Sequence, residues 1–273
     1  MKMTGLPRRF ERERERVDRK LEPLFFDEVI NVYMESDFFA KLCCREVWGL
    51  ESGFIALPQE LRAIAFHHAV LINRTDICKA VLRASNTLGT DINTDFVTDF
   101  YGIPPLMTAC RNHCKRSFLA LVNDGRADLS VSDEDGYTLA RACVESRDLS
   151  FVQMAQKYGV VFDVNDPVDA LVSSAAENDA WDIFWWLIED LHGDVNQTGE
   201  DGFSALDYAC RREKRNVFLY LLDKGAKMTG KHEIRFGFII DQIRELQKQP
   251  SSKMIDNRID HHINTLHFLM NKA

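Results

Sequence analysis

Apolar residues in this chain recur in short paired bursts, not in one unbroken period. The clearest burst places Leu206, Ala209 and Cys210 on one face of a short helix. After the polar break Arg211 to Arg215, Val217, Phe218, Leu221 and Leu222 follow at spacings of three and four, which predicts a second helix. The punctuation agrees. Gly202 suits the positive φ of a tight turn, Ser204 with Asp207 three residues on makes a capping box, and Gly225 stands where a helix C-terminal glycine belongs. Such a unit has a small-faced helix and a larger-faced one. It cannot bury its apolar side alone, so it needs copies stacked beside it.

The copies are present. Pro105-Leu106-Met107-Thr108-Ala109-Cys110 repeats the opening, with Phe118, Leu121 and Gly125 behind it. Gly136-Tyr137-Thr138 and Cys143 open another, closed by Phe151, Val152 and Gly159. Ala175-Ala176 with Ile183, Phe184 and Leu187 form a fourth, and Ala69-Val70 with Ile77, Cys78, Val81 and Leu82 a weaker first. Counted on the first small residue of each helix (Ala69, Ala109, Cys143, Ala175, Ala209), the steps are 40, 34, 32 and 34 residues. A fixed step of this size marks a repeat architecture. The long first step predicts an insertion near Asn86 to Phe96.

On Asp99-x-x-Gly102 with Pro105-Leu106, on Asp133-x-x-Gly136-x-Thr138 and on Gly193-Asp194-Val195-Asn196, residues 60 to 228 resemble ankyrin repeats. The chain departs from that pattern where Val168 replaces the turn glycine, Gly199 the aspartate and Pro104 the threonine, so distorted hairpins are expected there. The resemblance implies an all-α ankyrin-repeat solenoid of about five helix-turn-helix repeats with helical N- and C-terminal caps. The expected boundaries are a charged N-terminal arm at 1–20, a helical cap at 21–56, the array at 57–230 and a second helical cap at 231–273. In the first cap Leu24, Phe25, Val29, Ile30 and Tyr33 recur at helical spacing. In the second, Ile234, Phe238, Ile239, Ile243 and Leu246 precede Pro250, and Met254, Ile255, Ile259, Ile263, Leu266 and Leu269 follow it. Leu57-Pro58-Gln59-Glu60-Leu61 also resembles the start of an F-box, which implies an alternative: a substrate-recognition subunit of a ubiquitin ligase.

Composition narrows the function. Apolar content of 45% and charged content of 28% describe a folded chain. A net charge of −8 argues against nucleic acid as the partner, because such binding rests on clustered Lys and Arg. No apolar run reaches membrane-spanning length and no apolar leader opens the chain, so a membrane is not expected as a partner. Seven cysteines, an odd number, with Cys78, Cys110, Cys143 and Cys210 at inward repeat positions, read as small core residues of a reducing compartment. That places the protein in the cytoplasm, with the nucleus or signal-independent export left open.

Chemistry is sparse. No phosphate loop, nucleophile elbow, H-E-x-x-H or paired C-x-x-C appears. Cys110-x-x-His113-Cys114 has metal-like spacing but no second ligand pair, and His261, His262 and His267 read as surface residues of a C-terminal helix. The expectation is therefore no catalytic residue, no cofactor, no metal and no enzyme activity.

Function falls to the surface. The resemblance implies a concave face built from the turn tips and the outward side of each first helix, acting as a protein-binding site on a monomer. Carried onto this chain, the face comprises Phe100, Tyr101, Ile103, Arg111, Asn112, Glu134, Asp135, Tyr137, Glu145, Glu177, Asp201, Phe203, Arg211 and Arg212. Tip aromatics have little folding reason to be there, which marks Phe100, Tyr101, Tyr137 and Phe203 as expected anchors. The acidic tips point to another protein, through a basic segment, as partner, while Arg211 and Arg212 would accept an acidic group.

Overall fold

The computed structural model describes residues 36–97, 103–212, 214–228 and 233–270. The charged arm, the Leu24 to Tyr33 stretch, Phe100 and Tyr101 lie outside them. The described residues form fourteen helices and no strand, so the chain is all-α. It divides into two compact units, Met1–Asp128 and Leu129–Ala273.

The first unit holds α1 (Asp37–Cys44), α2 (Leu50–Ala56), α3 (Gln59–Leu71), α4 (Thr75–Leu88), α5 (Pro105–Arg111) and α6 (Lys115–Asp124). Consecutive helices pair as α1–α2, α3–α4 and α5–α6. The first members pack in one row, α1 on α3 on α5, and the second members in another, α2 on α4 on α6.

The second unit repeats the scheme with α7 (Leu139–Glu145), α8 (Leu149–Lys157), α9 (Leu171–Glu177), α10 (Trp181–Glu189), α11 (Ala205–Arg211) and α12 (Arg215–Asp223). There α7, α9 and α11 form the first row, while α8 and α10 meet in the second. The pair α13 (Glu233–Gln247) and α14 (Lys253–Met270) follows, with α14 laid against α11. Arg215 of α12 pairs with Asp256 and Asp260 of α14 at 3.2 and 2.5 Å.

The five small residues that mark the sequence steps all lie on first-row helices and are fully buried. Seven-residue helices such as α9 are too short to persist alone, so packing rather than propensity holds them. Helices α3, α5, α7 and α9 are each followed by a three-residue connector. Its middle residue is left-handed at Asn73, His113, Arg147 and Asp179, and the steps between them are again 40, 34 and 32 residues. Ser204 and Asp207 do form the capping box, and Gly202 and Gly225 take φ of 77° and 82°. Burial pushes the Cys78 and Cys210 thiols up to about 12, so both are inert core residues at neutral pH.

The long first step has a structural cause. Helix α4 runs on to Leu88, and the loop after it folds back so that Ile92 and Phe96 are buried. Phe96 stands edge-on to Phe66 of α3 at 4.7 Å, and its carbonyl lies 3.0 Å from Nε2 of the buried His67. That carbonyl can only accept, so Nε2 carries the proton and Nδ1 accepts from the Thr108 hydroxyl at 2.7 Å. The neutral imidazole thus ties loop, α3 and α5 together.

A pH dependence follows. Burial lowers His67 from 6.5 to about 3, and its neighbour His68 moves the same way, to about 4. Because the folded pKa lies below the unfolded one, the neutral-histidine contribution is complete above pH 6.5 and is lost as pH falls toward 3. Between pH 6.5 and 4.5 urea denaturation should show on the order of 2 kcal/mol of lost stability from His67 alone. His67→Gln, which cannot titrate, should flatten that slope while His68 leaves a residue of it. A variant slope parallel to the wild type would contradict the neutral assignment.

Candidate binding surface

Three turn tips lie side by side in the second unit, at residues 131–138, 163–170 and 194–204. The first and third are the same structure. Single antiparallel bridges, Ser132 with Thr138 and Thr198 with Ser204, close them. In each, a glycine at positive φ (Gly136, Gly202) lets the chain turn, and the residue before the cap returns its carbonyl to the amide at the start (Tyr137 to Asp133, Phe203 to Gly199). The middle tip lacks the glycine. Its Val168 lies under Gly136, and its Asp169 reaches back to accept from the Thr138 amide at 2.7 Å and from the Thr138 hydroxyl. Burial raises the Asp169 carboxyl, and the two Thr138 bonds work against that shift.

Tyr137 is only 8% exposed, its ring is covered by the Arg141 guanidinium at 4.0 Å, and its phenol faces the Glu200 carboxylate of the third tip. Burial and that carboxylate push the phenol up to about 12. Arg141 also donates to the Asp169 carbonyl at 2.9 Å and lies 3.5 Å from Glu145 and 3.8 Å from Glu177. In the third tip Arg211 lies 3.9 Å over the Phe203 ring, and Tyr208, at 6.1 Å from that ring, gives its hydroxyl to Asp201.

These contacts correct the reading of the tip aromatics. Tyr137 is not a free anchor, because an arginine one helical turn on and a carboxylate from another tip enclose it. Ile103 is buried as well: it precedes the cap of α5, where an apolar residue is drawn onto the first turn. Phe203 is half-buried beneath Arg211. Asn112, Glu134, Asp135, Glu177, Asp201 and Arg212 are exposed, while Arg111, Glu145 and Arg211 are half-buried. Arg212 donates to the Glu177 carbonyl. Of the C-terminal histidines, His267 is not simply a surface residue, for its Nδ1 lies 3.2 Å from the Cys210 carbonyl.

No protein-family model matches the chain, and no curated protein does. Its chemistry must therefore be read from its own side chains. Among the described residues no group of three or more His, Cys, Asp and Glu is placed to hold a metal ion, and no helix is long and apolar enough to cross a membrane. Cys114 is buried with its sulfur toward the Leu71 carbonyl, while His113 occupies the left-handed turn position and faces solvent.

What remains at the tips is charge of one sign. Together they carry Asp133, Glu134, Asp135, Asp163, Asp166, Asp169, Asp194, Glu200 and Asp201, and no Lys, Arg or His. Glu134, Asp135, Asp163, Asp194, Glu200 and Asp201 are exposed. Sequence reasoning missed Arg141, whose signal was a lone arginine in the otherwise small and apolar helix Leu139-Ala140-Arg141-Ala142-Cys143-Val144, four residues after a tyrosine.

Proposed function

We propose that the chain is a non-catalytic ankyrin-repeat protein that binds another protein, and that the tips of its second unit hold a basic segment of that partner. The observation that carries the reading is the run of exposed carboxylates on three adjacent tips without a single cation among them. The paired helices, their two rows and the recurring left-handed connector support the repeat assignment, with the array at 57–230 between helical caps. Like charges held close repel one another, and a cationic segment relieves that repulsion while its long-range field steers the encounter. Because Tyr137 is enclosed, the surface works by charge and shape, not by a row of projecting rings.

The test is fluorescence anisotropy of the full chain with a labelled octapeptide of alternating Lys and Gly. Replacing Glu134, Asp135 and Asp163 by Lys should weaken binding by about tenfold or more. A control with the same change in net charge, Asp182, Glu189 and Asp190 to Lys on α10 and its C-terminal end, should stay within about twofold. Equal losses in both would mean that net charge alone is sensed, and the tip assignment would fall.

A further inference from the structure

The first-row helices of the second unit end at equivalent positions, and those positions change sign. Helix α7 ends at Glu145, α9 at Glu177 and α11 at Arg211. Glu145 and Glu177 flank Arg141 and are balanced by it. Arg211 is different: among the described residues its guanidinium forms no ion pair and lies on an aromatic face.

That face is fixed from below. The Phe203 amide donates to Asp201 Oδ1 at 3.0 Å, and its carbonyl accepts from the Ser173 hydroxyl at 2.9 Å. The ring meets Tyr208, whose phenol engages the other Asp201 oxygen. The Asp201 carboxylate is thus committed to the tip's own turn and to Tyr208. A guanidinium held over a ring and free of any ion pair has given up much of its rotamer freedom while its N–H donors remain open to a further acceptor. This is the arrangement that takes a carboxylate through two parallel hydrogen bonds.

We infer that Arg211 is the receptor for an acidic side chain on the same bound segment, so that the recognition element is bipolar, with basic residues over the tips and one Asp or Glu at Arg211. The inference rests on the tip reading above and adds to it a residue type in the ligand.

The probes are labelled peptides with a Lys-Gly block, a Gly-Ser spacer of two, four or six residues, and a terminal-side Asp; matched peptides carry Asn or Lys in its place. All are amidated, so that no chain-end carboxylate competes. The full chain should prefer the Asp peptide over the Asn peptide by roughly three- to tenfold at one spacer length. Arg211→Gln should abolish that preference while keeping affinity for the basic block, and Arg211→Glu should transfer it to the Lys peptide. Circular dichroism of each variant checks that the helices are retained. Equal binding of Asp and Asn peptides at every spacer, or a preference that survives in Arg211→Gln, overturns the inference and leaves the tip reading standing. Failure of the wild type to bind any of the peptides overturns both.

Discussion

Phe96→Ala should destabilise the first unit by about 3–5 kcal/mol, the range for emptying the space of a buried aromatic ring. Phe96 comes from the loop that breaks the repeat step, yet it is 1% exposed and sits among Phe54 and Phe66 at centroid separations of 6.2 and 4.7 Å. Phe38 extends the set by packing on Phe54 at 5.5 Å, so four rings from α1, α2, α3 and the loop share one cluster. Truncation removes the ring's burial, its edge contacts and the hold that places the Phe96 carbonyl on His67. Urea denaturation should give the loss, and amide exchange in α3 and α4 should locate it. Thr94→Ala, an exposed change in the same loop, should stay within about 0.5 kcal/mol. A loss below about 1 kcal/mol for Phe96→Ala would mean that the loop is not part of the core.

That loop shows where the sequence was readable and where it was not. The repeat register was legible because only small residues fit where first-row helices touch, and Ala69, Ala109, Cys143, Ala175 and Ala209 answer that steric demand. Ser204, Asp207, Gly202 and Gly225 were legible because their jobs are local: a cap or a turn is made within four residues. The insertion was visible as extra length, but the burial of Phe96 depends on rings from two other helices, Phe54 and Phe66. The tips failed for the same reason. In the sequence Tyr137 is an aromatic in a turn, which suggests exposure. Its enclosure needs Arg141 from the next helix and Glu200 from a tip far along the chain. The carboxylates of the tips were legible because exposed charge requires no partner. Division into two compact units left no local mark at Asp128.

Arg141→Met should destabilise the second unit by about 3 kcal/mol. Arg141 is 9% exposed and its guanidinium has four neighbours at once: the Tyr137 ring, the Asp169 carbonyl and the Glu145 and Glu177 carboxylates. Methionine keeps most of the volume, so the loss reports charge and hydrogen bonding more than a cavity. Removing one partner of a buried pair usually costs about 3–5 kcal/mol, but Glu177 is half open to water and recovers part of its hydration. The lost stacking on Tyr137 and the bereft Asp169 carbonyl each add about 1 kcal/mol. Arg141→Lys separates the contributions, because a lysine keeps the charge without the planar fork or its several directed donors. It should fall between the two, at about 1–2 kcal/mol. If Lys is as damaging as Met, geometry outweighs charge. If both stay within about 0.5 kcal/mol of the wild type, the tips are held by their own turns and Arg141 does not bind them together.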